Sequence, residues 1–291
     1  MNAAAYRPGA MHEICNAMTV DVEDYFQVQA LAEGFPRELW DEIPLRVDRN
    51  VDRVLDMFAA AGVRGTFFML GWIAERQKVM TRRIAAAGHE IASHGYDHRQ
   101  VDRLTPALFR EDIRRTKKIL EEIVGLPIRG YRAPTFSIGP ENPWAFDILE
   151  EEGYTYSSSL YPISHDLYGS PGAPRFPFRP GQGKLLEIPM STRPYWGRNF
   201  PCAGGGYFRL LPYWLSKRHL RQVNGIDKRP CIFYFHPWEL DDSQPRPVRV
   251  PWRARVRHYT NLSRMSDRLR RLLCEFRWGR VDDAYSAYLN Q

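Results

Sequence analysis

The sequence has no long apolar run: no stretch approaches the roughly 20 apolar residues that a helix needs to span a bilayer. Its first residues, MNAAAYRPGAMHEICNA, also lack a clear apolar segment after a basic start, which is the pattern of a secretory signal. These absences argue against an integral membrane protein and against a secreted one. We therefore expect a cytoplasmic protein without a transmembrane segment.

Cysteine is scarce and scattered. The chain has 4 cysteines, Cys15, Cys202, Cys231 and Cys274, which are far apart and show no C-x-x-C spacing. This pattern argues against a zinc-thiolate site and against a disulfide framework. We expect isolated, reduced thiols.

Acidic residues are outnumbered, because 34 Asp and Glu stand against 41 Lys and Arg, for a net charge of +7. Much of the basic excess lies late in the chain, at Arg246, Arg249, Arg253, Arg255, Arg257, Arg264, Arg268, Arg270, Arg271, Arg277 and Arg280. A basic tail can attract nucleic acid, anionic lipid or an anionic glycan, but it is more often a solvated face. Nucleic-acid binding would rest on this tail alone and is not expected, whereas peripheral membrane contact through it stays open.

What is present is an ordinary globular composition, 44% hydrophobic and 26% charged, with β-rich runs alternating with amphipathic helices. Helical spacing of apolar residues predicts helices over 47–61 and 105–125, with Gly62 and Gly125 placed to end them. Residues 64–70 are typical of a buried strand. Further helices are predicted in 72–88, 141–152 and 212–223, and further short strands near 89–93, 128–131, 154–157, 184–188 and 231–235. This alternation predicts an α/β fold with a parallel sheet, open or closed as a barrel, whose chemistry lies at the carboxyl ends of the strands.

Two segments carry weaker patterns. The pattern weakens over about 160–215, where 161–183 is rich in Pro, Gly and aromatic residues and is predicted to be a long ordered loop. Residues 202–214 could form another loop that leads into the helix near 212–223. The tail carries an apolar stripe at helical spacing, which predicts a helix packed on the main domain: Leu262, Met265, Leu269, Leu272, Leu273 and Phe276. We therefore expect a main domain over 1–240 and a basic C-terminal extension over 241–291.

Potentially reactive side chains follow several of the predicted strands. Three carboxylates, Asp21, Glu23 and Asp24, stand at the end of the first strand in "TVDVEDYF". In "SHGYDH", His94 and His98 are four residues apart, so one helical turn would place them on the same face. Two imidazoles and a carboxylate form a familiar site for a divalent metal ion, with positions left for water and substrate.

Two more strands end in functional groups. His236 follows the predicted strand "IFYF" and is a candidate general acid, because a histidine pKa lies in the useful range. Arg132 follows 128–131, and an arginine beside a carboxylate keeps that carboxylate charged and oriented.

Taken together and in this order, these motifs resemble the polysaccharide deacetylase family, the NodB-homology carbohydrate esterases. "TVDVEDYF" is similar to the first motif of the family, "SHGYDH" to the second, "RAPTFS" to the third and "FYFHPWE" to the last. The region of the fourth motif, where many members carry an aspartate, has Ser157 instead. The resemblance covers about 18–240, and the chain looks most like a subgroup with a basic C-terminal extension found beside exopolysaccharide and exosortase systems.

The resemblance implies a distorted (β/α) barrel of about seven parallel strands, followed by a C-terminal helical extension. It also implies a metal-dependent hydrolase that removes N-acetyl groups from amino sugars of a polysaccharide or its precursor, with Zn²⁺ as the expected cofactor. The implied catalytic residues are Asp21 as base, Arg132 as the partner of the base and His236 as acid. His94 and His98 are implied as metal ligands.

The third ligand is not settled by the resemblance. Many family members have two adjacent aspartates in the first motif, the second of which binds metal, but here Val22 occupies that second place. Glu23 lies two residues after Asp21 and so on the same strand face, which favours it, while Asp24 stays a candidate if the strand has already ended. Near the substrate we expect the backbone N–H of Thr135 at the oxyanion and, as possible contacts, Tyr131 and Trp238. Other aromatic residues, such as Tyr25, Phe26 and Trp196, are candidates for stacking on sugars or for core packing.

Two alternatives remain open at this point. One is an amidohydrolase of the same fold that acts on a small cyclic amide. The other is a catalytically silent glycan-binding protein, for which we would expect neither a bound metal nor a metal-dependent rate.

Overall fold

A computed structural model describes residues 14–166, 168–247 and 250–291 of the chain. The strands are β1 (Asn16–Val22), β2 (Thr66–Met69), β3 (Glu90–Ser93), β4 (Gly130–Tyr131), β5 (Tyr156–Ser157), β6 (Leu186–Glu187), β7 (Thr192–Tyr195), β8 (Arg198–Pro201), β9 (Ile232–Phe235) and β10 (Trp278–Gly279). Strands β1 to β6 lie side by side in chain order, and β9 and β10 both pair with β1. Every pairing in this sheet is parallel, whereas β7 and β8 form a separate antiparallel hairpin.

The helices surround this sheet. They are α1 (Val47–Ala61), α2 (Gly71–Arg76), α3 (Lys78–Ala86), α4 (Pro106–Val124), α5 (Trp144–Glu151), α6 (Gly205–Leu210), α7 (Tyr213–Gln222), α8 (Trp252–Tyr259), α9 (Met265–Glu275), α10 (Val281–Ala284) and α11 (Ser286–Leu289). Parallel strands joined through helices confirm the predicted fold class, a distorted (β/α) barrel with a helical C-terminal part.

Strand β1 pairs with three other strands, β2, β9 and β10, and is buried along its whole length. Its side chains alternate between the two faces, as in any strand. Met18, Val20 and Val22 pack in the large apolar core beneath the helices. Thr19 and Asp21 therefore face the inside of the half-barrel, with Asp21 at the carboxyl end.

The two strongest helix predictions are confirmed. Helix α1 ends at Gly62, which adopts a left-handed conformation with φ 63° and so closes the helix without steric cost. Helix α4 begins after Thr105, whose side chain accepts a hydrogen bond from the backbone N–H of Leu108, and it ends at Gly125 with φ 69°.

Two other predictions need correction. The single helix expected over 72–88 is two helices, α2 and α3, because the chain leaves helical geometry at Gln77, with φ −124° and ψ 49°. The second loop, expected over 202–214, instead contains helix α6, and 192–201 forms the unpredicted β7–β8 hairpin. The described residues of the long loop predicted over 161–183 contain no helix or strand, as expected.

Residues after 240 complete the sheet as well as adding helices. Helix α9 buries Met265, Leu269, Leu272 and Leu273, as the apolar stripe predicted. Strand β10 pairs with Asn16 and Ala17 at the start of β1. The division of the chain near residue 240 into a main domain and an extension stays a prediction. Of the arginines of the basic tail, Arg249 lies outside the described residues.

Within the part of the chain that the structure describes, none of the helices has both the length and the apolar character needed to cross a bilayer.

Candidate functional site

Three strand ends deliver functional side chains to one cavity, and a fourth places a side chain behind them. Asp21 and Glu23 come from the end of β1, His94 and His98 from the segment after β3, and His236 from the residue after β9, and all five line the cavity. Arg132, after β4, lies behind Asp21 and is fully buried. The structure thus brings together groups that are more than 200 residues apart in sequence.

Glu23, His94 and His98 form a compact cluster of potential ligands. Their nearest donor atoms all lie within 4.8 Å of one another. Glu23 Oε1 is 3.3 Å from His94 Nε2 and 3.2 Å from His98 Nε2. Burial alone would raise the pKa of Glu23, but the surrounding His98, His236 and His94 lower it well below its usual range.

The protonation of His94 suits a metal ligand. Its Nδ1 lies 2.8 Å from the carbonyl oxygen of Arg132, which can only accept a hydrogen bond, so Nδ1 carries the proton. Nε2 is then left with its lone pair directed at the cluster, as in histidines that bind metals. The residues present therefore fit a divalent cation.

The two histidines converge by a different route from the predicted helical turn. Strand β3 ends at Ser93, and 94–98 is a tight non-helical segment in which Gly95 has φ 75° and His98 has φ 60°. The carboxylate of Asp112 in α4 accepts the backbone N–H of Tyr96, at 2.9 Å to each oxygen. Two left-handed residues and this anchor, rather than helical spacing, turn both imidazoles inward.

Asp24 is not part of the cluster, which contains Glu23 instead. The Asp24 carboxylate accepts backbone N–H groups from Tyr25, Arg46 and Val47, at 2.9, 2.5 and 2.9 Å. It therefore fixes the short turn after β1 and the start of α1. Glu23 comes one residue after the end of β1, yet its side chain still reaches the site.

Asp21 and Arg132 form a buried ion pair at the edge of the cluster, with Nη1 of Arg132 2.6 Å from Oδ1 of Asp21. The same Nη1 donates to Thr19 Oγ1 at 2.8 Å, and the other nitrogens donate to the backbone oxygen and hydroxyl of Ser158, both at 3.1 Å. The guanidinium also lies over the ring of Phe68, 4.0 Å from its centroid. Arg132 is held from every side and in turn holds Asp21 in one position.

His236 has its own carboxylate partner, which sequence reasoning did not identify. Nδ1 of His236 lies 3.0 Å from Oε1 of Glu239, which also accepts the backbone N–H of His236. Glu239 is in turn paired with Arg209 at 2.6 Å, and both side chains are buried. Nε2 of His236 therefore faces the cluster, 3.5 Å from Glu23 Oε1.

The charges around His236 set its protonation. Burial alone would lower its pKa, but the nearby carboxylates of Glu23 and Glu239 outweigh burial and raise the pKa to about 9. For Glu239 the balance is opposite, because Arg209 and His236 outweigh the effect of burial and lower its pKa to about 2.

The glycine run "AGGG" makes this arrangement possible. A Cβ at Gly205 would overlap the carboxylate of Glu239, and one at Gly204 would crowd the ring of Tyr234. Gly204 also has φ 116°, a conformation that favours glycine. The run lets the start of α6 approach Glu239 closely and places Arg209 one turn later.

The predicted substrate contacts separate into two groups. Thr135, with φ 55°, and Trp238 line the cavity. The Trp238 ring stacks on His236 with centroids 5.0 Å apart, and its buried Nε1–H has no acceptor among the described residues. Tyr131 instead packs in the outer core against Phe109 and Tyr154, so the structure does not support a substrate contact for it.

The other residues singled out from the sequence lie outside the cavity. Tyr25 and Phe26 are buried in the core, and Trp196 is 89% exposed on the β7–β8 hairpin. Asp97, which lies between the two histidines in sequence, pairs with Arg37 at 3.3 Å and with Arg99 at 3.4 Å. Ser157 donates its hydroxyl to Ser159 at 2.8 Å.

The geometry agrees with the family comparisons. Residues 39–157 match the family model for polysaccharide deacetylases, and residues 158–286 match a family described as a domain of unknown function (DUF3473). Over 39–157 the chain matches a polysaccharide deacetylase domain, as its motifs predicted, while the narrower subgroup stays a prediction. Within the cluster, His94 and His98 belong to the region that matches the deacetylase family, and Glu23 precedes that region. His236, next to the cluster, belongs to the region that matches DUF3473.

Individual curated proteins are similar in sequence to part of the chain. A peptidoglycan-N-acetylglucosamine deacetylase from Bacillus cereus is 32% identical over 98 residues, 32% of this chain and 36% of that protein. The chain thus spans about a third of the length of such curated relatives.

Solved structures show the same fold. A Mycobacterium smegmatis protein assigned to the polysaccharide deacetylases is 20% identical with a TM-score of 0.61, covering 100% of this chain and 93% of that one. A peptidoglycan N-acetylglucosamine deacetylase bound to a naphthalenyl N-oxidanyl-benzamide is 15% identical with a TM-score of 0.51, covering 94% and 88%. At these identities the likeness concerns the fold alone.

Proposed function

We propose that this protein is a metal-dependent hydrolase that removes N-acetyl groups from amino sugars of a polysaccharide or of its precursor. One observation carries the proposal: a Glu-His-His cluster, a buried Asp–Arg pair and a carboxylate-bound histidine open onto the same cavity. Relatives named as deacetylases of N-acetylglucosamine in peptidoglycan support this class of substrate.

Glu23, His94 and His98 would hold the cation. Two imidazoles and one carboxylate are a common ligand set of catalytic zinc, so Zn²⁺ is the expected ion. When bound, such an ion polarises the acetamide carbonyl and lowers the pKa of water from about 16 towards 7.

Asp21 is the proposed general base. Its carboxylate takes a proton from the attacking water, and the ion pair with Arg132 holds it in one direction. Arg132 is itself held by hydrogen bonds to Thr19 and Ser158, so it fixes the position of the base. Removing the proton produces the nucleophile that adds to the acetyl carbon.

The tetrahedral oxygen that develops at the acetyl carbon needs hydrogen-bond donors. Thr135 lies at the cavity wall after Arg132, and its backbone N–H is the proposed donor. Trp238 also lines the cavity and is a candidate substrate contact.

His236 is the proposed general acid, which gives its Nε2 proton to the nitrogen as the C–N bond breaks. The products are a free amine on the sugar and acetic acid, which loses its proton to solvent and becomes acetate. The proton that Asp21 takes from water equals the one that His236 gives to the nitrogen, so the two groups return to their starting states by exchanging one proton with solvent. Glu239 binds Nδ1 and stabilises the protonated ring. A cation bound to Glu23 would neutralise part of the charge that raises the pKa of His236, so that pKa would fall from about 9 towards neutrality.

The decisive experiment measures acetate release from N-acetylglucosamine oligomers by the full chain supplied with Zn²⁺. We expect metal-dependent turnover, lost on chelation and restored by added metal. Asp21→Asn should lower kcat by about 10²–10⁴-fold, because a proton-transfer group contributes about that much.

Three outcomes would count against the proposal. Full activity in Asp21→Asn would remove Asp21 from the mechanism. Ring opening of cyclic ureides without acetate release would favour the cyclic amidohydrolase, and glycan binding without metal-dependent turnover would favour a silent binding protein.

We also propose that the protein is cytoplasmic, and fractionation of cells that produce the protein would test this location.

A further inference from the structure

Helix α8 forms one wall of the cavity and belongs to an unusually basic segment. Residues 243–260 contain five arginines and neither Asp nor Glu. From α8, Ala254, Arg257 and His258 line the cavity beside His236. The segment is therefore anchored at the entrance to the proposed active site.

The outward face of α8 combines apolar and cationic side chains. Trp252 is 69% exposed and Val256 is 53% exposed. Arg253 and Arg255 are exposed as well, and neither has an acidic partner among the described residues. A tryptophan and an aliphatic side chain flanked by unpaired arginines suit the boundary between lipid headgroups and acyl chains.

Much of the basic charge elsewhere in the tail is already used within the protein. Arg268 binds the backbone oxygens of Phe208, Arg209 and Leu211. Arg271 pairs with Glu275, and Arg280 pairs with Asp282, at 3.0 and 2.8 Å. On α8, Arg257 pairs with Asp166 at 3.1 Å, whereas Arg253 and Arg255 have no acidic partner among the described residues.

We propose that the exposed face of α8, formed by Trp252, Arg253, Arg255 and Val256, binds the surface of a bilayer rich in anionic phospholipid. Charge complementarity identifies the partner, and the exposed Trp252 and Val256 add the apolar insertion that a soluble polyanion would not require. Docking in this way holds the cavity entrance at the membrane, where a lipid-attached glycan would reach it. This role for docking rests on the proposed function, but the membrane binding itself does not.

The test measures binding of the full chain to vesicles of phosphatidylcholine, alone or mixed with phosphatidylglycerol, by flotation. We expect binding only to the mixed vesicles and a loss of binding in high salt. The double variant Arg253→Gln/Arg255→Gln should bind about tenfold more weakly or worse, since each basic residue near an anionic surface contributes about fivefold. Trp252→Ala should also weaken binding.

Helix α7 supplies matched controls, because it exposes Trp214, Arg218 and Arg221 away from the cavity lining. Arg218→Gln/Arg221→Gln removes the same charge and Trp214→Ala the same ring, and we expect vesicle binding to be retained in both. An equal loss of binding in the α7 and α8 variants would show a general charge effect and overturn the proposal.

A soluble anionic polysaccharide, alginate, separates the two sources of negative charge. If alginate binds as tightly as the vesicles and Trp252→Ala leaves both unchanged, the face binds polyanions and the membrane proposal is wrong. The inactive Asp21→Asn variant should bind vesicles like the unmodified chain, so a failure of the proposed chemistry would not be mistaken for a failure of docking.

Discussion

At the scale of single residues, two buried ion pairs define the site, Asp21–Arg132 and Glu239–Arg209. Burying a charge pair costs desolvation energy that the attraction between the charges often fails to recover, so such pairs contribute little to stability. Here each pair fixes one group of the proposed proton transfer: Arg132 holds the base, and Glu239 holds the acid His236. Their burial is better explained by this positioning than by stability.

The role of the Glu239–Arg209 ion pair in positioning His236 can be tested separately from metal binding. Glu239→Gln keeps an acceptor for Nδ1 of His236 but removes the charge that stabilises the protonated ring, so we expect kcat to fall by at least about tenfold with metal content unchanged. The variant also leaves Arg209 buried without its counter-charge, which should cost about 3–5 kcal/mol in the free energy of unfolding.

The double variant Arg209→Met/Glu239→Gln separates the two effects. Removing both charges should recover part of the lost stability, measured by urea denaturation, while kcat stays low. If kcat recovers together with stability, Glu239 has only a structural role.

At the scale of elements, the ends of helices could be predicted from the sequence, because a few neighbouring residues determine them. Gly62 and Gly125 end α1 and α4 because a residue without Cβ adopts a positive φ readily, and Thr105 caps α4 through its hydroxyl. These features depend on a few neighbouring residues, and the sequence displays them directly. The ends of parallel strands gather at one edge of a sheet, which is why the motif residues could be expected to meet.

Other features depend on contacts that leave no periodic signal. The turn that brings His94 and His98 together is set by positive φ values and by Asp112, a residue in α4. Arg209 meets Glu239 across 30 positions of sequence. A glutamate three residues after His236 was visible in "HPWEL", but only the fold shows that its carboxylate turns back to the imidazole ring.

Helix α6 offers a prediction at this scale. Gly205→Ala places a methyl group against the buried Glu239 carboxylate, which is fixed by Arg209, so we expect lower stability and reduced kcat. Gly206→Ala is the matched control for stability, since a Cβ there meets nothing within 4 Å and alanine is favoured over glycine in a helix by about 0.5–1 kcal/mol. Thermal unfolding of the two variants should move in opposite directions, and equal shifts would argue against the close approach of α6 to Glu239.

At the scale of the whole molecule, the sheet contains strands from both ends of the sequence. Strand β1 pairs with β2, β9 and β10, so the first and last parts of the sequence share one core. At the opposite end of the sheet from the site, Glu90 is half-buried and accepts hydrogen bonds from Thr66 and Tyr156 at 2.6 and 2.8 Å. Burial, reinforced by Asp282, raises the pKa of Glu90 from 4.5 to about 7.

This raised pKa predicts how folding stability depends on pH. The folded state binds the Glu90 proton more tightly than the unfolded chain, so the stabilising contribution is complete below about pH 4.5 and is lost as the pH rises through about 7. Glu90→Gln should therefore become more stable relative to the unmodified protein between pH 5 and 8, by about 3 kcal/mol at most. Urea denaturation of both proteins at the two pH values measures this difference, and a difference independent of pH would show that Glu90 is charged throughout.

The central claim is that Glu23, His94 and His98 hold one divalent cation beside Asp21 and His236. Zinc content per chain after dialysis tests it most directly, measured for the unmodified protein and for four variants: His94→Ala, Glu23→Gln, Asp24→Asn and Asp21→Asn. The account predicts one zinc in the unmodified protein, in Asp24→Asn and in Asp21→Asn, and loss of zinc in His94→Ala and Glu23→Gln. Zinc retained in full by His94→Ala and Glu23→Gln would contradict it.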